Sequence, residues 1–255
     1  MRTALAVEGL KLRRATVARV AAITLVVVAP AMGAGFLAAA RADLDGPLAA
    51  KIAPMLQGVG WDGLMGFVGQ ILSIGVLLAV GIVTAWSYGR EFTDGTFGAL
   101  FALPTPRRHI AAAKALTILH WGVEVALATV ALTLVLGVAT GLGMPDEAAW
   151  SGAGKIFVIA VLSLALAMPL GLVASALRGY LPGIAALLGI VVVTQVLSIT
   201  GVGAWFPYAA PGMWSGMGGA ELAATGTPAQ LLLAVPVGVA GVLGAVWWWD
   251  RAHVV

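Results

Sequence analysis

Six stretches of this chain, near 17–40, 64–87, 110–142, 156–177, 183–206 and 229–249, are almost uninterruptedly apolar. A helix rises 1.5 Å per residue, so about 20 such residues match the ~30 Å hydrocarbon core of a bilayer. Lipid offers backbone groups no hydrogen bonds, which leaves only helices and closed barrels able to cross it. Barrel strands alternate apolar and polar residues, and that pattern is missing here. The expected fold is therefore all-α, a single polytopic membrane domain over residues 1–255 with six transmembrane helices. Composition agrees: 61% of residues are hydrophobic and 10% charged, against about a quarter charged in soluble domains.

The placement of the few charges sets an expected orientation. Arg2, Lys11, Arg13, Arg14 and Arg19 cluster at the first span's leading end, and Arg90, Arg107, Arg108 and Lys114 lie around the second connection. Arg178 falls between the fourth and fifth spans and Arg251 after the sixth. The alternate loops hold only Arg41, Lys51 and Lys155, beside Asp43, Asp45, Asp62, Asp146, Glu147 and Glu221. Lysine and arginine concentrate on the cytoplasmic side, so both termini are expected there. The same placement makes the net charge of +3 a membrane signal, with no nucleic-acid partner implied. Basic residues, an apolar run and "AAARA" at 38–42 imitate a signal peptide. The run exceeds the usual length of roughly 7–15 residues, so an uncleaved first span is expected.

Several chemistries find no support. Cysteine is absent, which removes disulfides, thiolate nucleophiles and cysteine-based metal sites. "SGAGKI" at 151–156 imitates a phosphate-binding loop, but Ile156 stands where Ser or Thr is needed and Ala149 replaces the first glycine. Ser215 as a nucleophile needs a histidine base, and His109, His120 and His253 are not placed to meet it. Three scattered histidines do not make a metal site. A nucleotide site, a serine nucleophile and a metal site are accordingly not expected.

Smaller features complete the layout. "VEGLKLRRATVAR" at 7–19 mixes Val7, Leu10 and Val17 with Lys11, Arg13 and Arg14, as an amphipathic helix on anionic lipid does. The run 110–142 is too long for a perpendicular crossing, so it must tilt or project its first turns around Lys114 into the cytoplasm. The Gly-, Pro- and Trp-rich connection 203–228 fits an interfacial or re-entrant segment, and "WWWD" at 247–250 an aromatic anchor. Gly137–Gly141 and Gly179–Gly183 match a helix-packing pattern that 34 glycines make common.

Glu124 is the one carboxylate inside the apolar runs. Counting ten residues from Lys114 at about 1.5 Å each puts it roughly mid-bilayer, where a charge is expensive and functional by default. His120 lies one turn away on the same face, and Gln70 and Gln195 are further intramembrane polar groups. Two readings stay open, a translocation-path residue or a structural clasp that is protonated or bonded to a neighbouring helix.

"YGREFTDGTFGALFALPTPRRH" at 88–109 interrupts the apolar pattern. A helix over 86–103 is expected, stopped by Pro104 and Pro106. Topology then exposes Phe92, Phe97, Leu100, Phe101 and Leu103 to the cytoplasm, with Phe97 and Phe101 as an apolar ridge one turn apart. Such a ridge suits docking on a partner. The ordered set Glu91, Gly95, Thr96, Pro104, Arg107 and Lys114 resembles the Glu-x-x-x-Gly-Thr, Pro-x-x-Arg, Lys pattern of type-2 ABC transporter permeases. "EGLKLRR" at 8–14 is similar to the opening of small bacterial members, including those of peptide-antibiotic immunity and export systems.

That resemblance implies the membrane half of an ATP-driven exporter in a bacterial inner (cytoplasmic) membrane, itself non-catalytic and binding no cofactor. Residues 1–19 become an elbow helix, and 88–109 a coupling segment seated on a separate ATPase. The implied interface residues are Glu91, Phe92, Gly95, Thr96, Phe97, Leu100, Phe101, Pro104, Arg107, Arg108 and Lys114. Two ATPase chains, carrying ATP and magnesium, join this chain and a second permease, identical or homologous, with the substrate path between the permeases. Membrane lipid is the other implied contact. The rival is an ATP-independent carrier or scaffold, although no internal repeat of the kind common in carriers is evident.

Overall fold

The computed structural model describes residues 1–42, 56, 58–199, 202–217 and 227–252. Asp43, Asp45, Lys51, Glu221 and His253 lie outside the described residues, as does the side chain of Phe101. Among the described residues all regular structure is helical, without strands. It opens with α1 (Arg2–Arg14). Six helices of membrane-spanning length and composition follow: α2 (Thr16–Ala42), α3 (Trp61–Thr93), α4 (Arg107–Ala139), α5 (Glu147–Ala176), α6 (Tyr180–Leu197) and α8 (Ala229–Arg251). The short α7 (Ala210–Trp214) precedes the last of them.

Local chemistry decides where each helix stops. Ala15 is extended (φ −70°, ψ 127°), so the amphipathic helix ends at Arg14 and Arg19 belongs to the first span. On α1, Ala4, Glu8 and Leu12 recur every fourth residue and are buried, packed largely against α4, while Val7 and Leu10 stay exposed. The first span widens into a π turn at Thr24–Val28 just ahead of Pro30. Proline cannot complete the regular ladder, and a π turn absorbs the mismatch. There the Leu25 carbonyl accepts a hydrogen bond from Thr129 Oγ1 of α4 at 3.3 Å.

The fourth span starts well before the apolar run expected at 156. Asp146 caps it, its carboxylate accepting from the Ala149 N–H at 2.9 Å, and an anionic side chain suits a helix N-terminus. The third span stops at Ala139 because Gly141 turns left-handed (φ +81°). Leu142 N–H then reaches Gly137 O and Gly141 N–H reaches Val138 O, at 3.1 and 3.0 Å, a two-bond cap that glycine favours. Gly141 is thus a helix terminator, and only Gly137 packs closely: a Cβ there would meet the Trp61 ring at 2.1 Å. Gly137–Gly141 is therefore not a paired packing face.

The central helix is α3, which packs against α2, α4, α5 and α6, while α8 lies on α4 and α5. In its most apolar window α5 is 61% buried and α6 only 11%, so α6 sits at the periphery, with Leu181, Leu188 and Val192 turned outward. Such a face needs no cover in lipid, where apolar burial brings little gain and close backbone contact holds helices together. One such contact is at Gly89 of α3, where an added Cβ would lie 2.3 Å from the Tyr180 backbone nitrogen. The turn between α5 and α6, with Arg178 left-handed at φ 51°, rests on that bare spot. The described part of the last connection folds back on α3 and α5 through α7, burying Ala210, Pro211 and Met213.

The imitation phosphate-binding loop dissolves in this fold. Residues 151–156 are interior to α5, a helix and not a loop. The Ser215 hydroxyl donates to Gly212 O at 2.6 Å.

Candidate functional site

One end of the bundle gathers α1, the connection between α3 and α4, the α5–α6 turn and the C-terminus of α8. The α3 helix runs past the expected inner boundary to Thr93, and Gly95, left-handed at φ +69°, then reverses the chain. Phe97 N–H returns to Glu91 O at 2.8 Å, and a single 3₁₀ turn, Gly98–Ala102, follows. The continuous helix expected over 86–103 is therefore absent. The break comes at Asp94 and Gly95, ahead of Pro104 and Pro106, because glycine takes a left-handed turn without steric penalty.

That reversal folds Thr96 back onto Glu91. The Thr96 hydroxyl donates to Glu91 Oε2 at 2.6 Å. Glu91 Oε1 accepts from Lys114 Nζ at 2.9 Å and Lys11 Nζ at 3.0 Å. Lys114 also donates to Glu8 Oε2 at 2.8 Å and Ser87 O at 3.0 Å, so all three of its protons are placed. Lys11 closes the ring to Glu8 Oε1 at 3.0 Å. Glu8, Glu91 and Lys114 are 5%, 3% and 1% exposed. A lone ion at such depth costs several kcal/mol, but here two cations meet two carboxylates and bind α1, α3 and α4 into one unit. At the margin of the cluster, burial pulls the Lys11 pKa down, and the Glu8 and Glu91 carboxylates more than offset it, leaving it above the ordinary 10.5. Lys11 thus stays cationic, and its contribution to stability fades only as pH rises beyond the ordinary lysine value.

An aromatic layer lies beside the ions. Phe92 stacks on Phe97 at 4.3 Å, and both meet Trp249 edge-on at 6.1 and 5.4 Å. Tyr88 meets Trp249 at 6.0 Å and donates to Ala111 O at 2.7 Å. Trp249 Nε1 donates to Ser175 Oγ at 2.8 Å, joining α5 and α8. The Arg107 guanidinium donates to Ala252 O and, at 3.2 Å, to Asp250 O, where the α8 C-terminus favours a cation.

Several residues expected at a partner interface thus prove to be internal. Phe97 and Leu100 are 8% and 9% exposed, because the turn at Gly95 folds them onto the bundle; they are not a ridge open to the cytoplasm. Glu91 and Lys114 are buried, and Arg107 is engaged by α8. Thr93, Asp94, Gly95, Gly98, Ala102, Leu103, Pro104 and Arg108 remain exposed, and Phe92 is half-buried. Glu8, Lys11, Tyr88 and Trp249 join this site from outside the interface set that the motif implies. The available signals were a glutamate among the cations of 8–14 and a lysine inside an apolar run.

His120 and Glu124 do meet, Nε2 to Oε1 at 3.1 Å, but with side chains 72% and 51% exposed. Gln70 is half-buried, its carbonyl accepting from Ser73 Oγ at 2.8 Å. Gln195 is exposed and borders a cavity of about 20 Å³ with Ser73 and Tyr208. Neither glutamine joins Glu124. Among the described residues no neighbouring helix supplies Glu124 with a hydrogen-bond partner, and its contact is with His120 on its own helix.

Six membrane-length helices, knit at one end by buried ions, define a multi-pass membrane protein. A family model described as "ABC-2 family transporter protein" matches residues 4–196, taking in the ion cluster and five of the spans. The chain belongs to that family, as a membrane-spanning component of a transporter. The family in general works with an ABC ATPase. No curated protein and no solved structure matches the chain.

Proposed function

We propose that this chain is the permease of an ATP-driven exporter, in which a separate ATPase subunit presses on the connection between α3 and α4. One observation carries the reading. The connection is fastened from within by Glu91, Lys114 and Glu8, with exposed Thr96 bonded to Glu91, while Thr93, Asp94, Gly95, Gly98 and Ala102–Pro104 of its turn stay exposed. A push on that surface has no slack to absorb it and reaches α1 and α4 through the ions and α8 through the aromatic layer. ATP binding shifts a membrane equilibrium only through contacts that differ between two states, and a rigid connection delivers such differences to several helices at once.

On this reading the basic end faces the cytoplasm, two permease chains pair with two ATPase chains that carry ATP and magnesium, and the membrane is the bacterial inner membrane. The outward apolar face of α6 is then available to lipid or to the second permease. Glu91 and Lys114 act as positioning residues and do not touch the ATPase. The test is co-expression with a candidate ABC ATPase partner, followed by purification and hydrolysis assays in vesicles. Retention of the ATPase by the wild type, its loss on replacing exposed Asp94 and Leu103 together, and uncoupled hydrolysis in Glu91→Gln are expected. An ATPase that stays bound and coupled in both variants, or never binds, defeats the proposal.

A further inference from the structure

The angle between α1 and α4 encloses a cleft of about 440 Å³ whose walls include Leu10, Arg13, Thr117, His120, Trp121 and Glu124. It lies apart from the ion cluster, on another face of α4. Its walls are mostly apolar, yet it carries uncompensated charge of both signs. Glu124 Oε1 is met by His120, while no group among the described residues reaches Oε2. Nor does the Arg13 guanidinium have a hydrogen-bond or ion-pair partner among the described residues. Helical side chains tilt toward their helix N-terminus, here the basic end, so Glu124 reaches back toward His120 and the level of α1. Trp121, at the same height, belongs to a residue type that favours the headgroup region.

We infer that this cleft holds the headgroup of a zwitterionic phospholipid bearing a primary ammonium, drawn from the leaflet at the basic end. The phosphate oxygens accept from the Arg13 guanidinium, the ammonium donates to Glu124 Oε2, and the acyl chains leave along Leu10 and the outer face of α4. A purely anionic headgroup satisfies Arg13 but sets its charge against Glu124. A choline headgroup has the right charges but no N–H to donate. A carboxylate facing lipid is costly unless paired, and an ammonium headgroup supplies the missing partner. This inference rests on α4 spanning the membrane, not on coupling to an ATPase.

The test reads lipid adducts on the purified permease alone by native mass spectrometry in detergent, titrating phosphatidylethanolamine, phosphatidylcholine and phosphatidylglycerol. Phosphatidylethanolamine is expected to bind at least ~10-fold tighter than phosphatidylcholine, a difference of about 1.4 kcal/mol. Glu124→Gln and Arg13→Gln should each abolish that preference, and Glu124→Lys should turn it toward phosphatidylglycerol. Both positions are exposed, and melting curves check that the variants stay folded. Equal binding of phosphatidylethanolamine and phosphatidylcholine overturns the inference, as does tightest binding of phosphatidylglycerol by the wild type or a preference that the Glu124 variants leave unchanged. Any of these outcomes leaves the ATPase-coupling account standing.

Discussion

Two ionic sites lie on α4 only ten residues apart, and they could hardly differ more. Lys114 is 1% exposed and gives all three protons to partners on α1 and α3, whereas Glu124 is half exposed with one partner on its own helix. Ten residues at 100° each leave the two about 80° apart around the axis. One side chain therefore points into the junction of three helices and the other into a cleft. Counting residues gives spacing along a helix, but the level of the headgroups and the environment of a charge depend on what packs against that face. Here α1 borders the cleft of Glu124, nearer the basic end than the count from Lys114 implies. The first site is built to stay closed, and the second has bonding capacity to spare.

The sharpest way to break this contrast is Lys114→Met. It leaves two buried carboxylates short of a cation, and losing one partner of a buried pair costs roughly 3–5 kcal/mol. Thermal unfolding in detergent should show a steep drop in melting temperature, or no monodisperse protein at all. An unchanged melt would mean the cluster is hydrated and loose. Phe97→Ser should come next, at about 3 kcal/mol for an aromatic removed from a packed layer. A stable protein that only fails to hold an ATPase would instead restore the picture of an exposed ridge.

Gly89→Ala tests the same end by steric means. With a backbone nitrogen 2.3 Å from the new Cβ, the Tyr180 turn has to move, and about 1–3 kcal/mol is the expected cost of such overpacking. Smallest of all, Glu124→Gln should shift stability by no more than about 0.5 kcal/mol, as for surface substitutions. A large loss there would show that Glu124 has a buried partner after all and would erase the difference between the two sites.

The contrast also marks what could be read in advance. The six spans were legible because apolar runs of membrane length permit almost nothing else, and Glu91, Thr96 and Lys114 stood out through the permease motif they resemble. Helix ends were less legible where a single cap overrode hydropathy: Asp146 starts α5 early, and Gly141 stops α4 short. Misreading Gly95 had the larger consequence. Taken as a position within a helix it made Phe97 and Leu100 look exposed; as a left-handed turn it folds them inward. Glu8 and Trp249 come from opposite ends of the chain, and only tertiary packing brings them to Lys114.

The central claim, that the exposed turn of 93–104 is where a separate ATPase bears on the bundle, can be tested directly because the chain has no cysteine of its own. Single cysteines placed by Asp94→Cys, Ala102→Cys and Met144→Cys, the last exposed at the opposite end, can be treated with a short reagent that is thiol-reactive at one end and photoreactive at the other, alongside the co-expressed ATPase. The account predicts cross-links from 94 and 102 whose yield falls when ATP is added, and none from 144. Cross-links from 144 alone, or equally from all three, would contradict it.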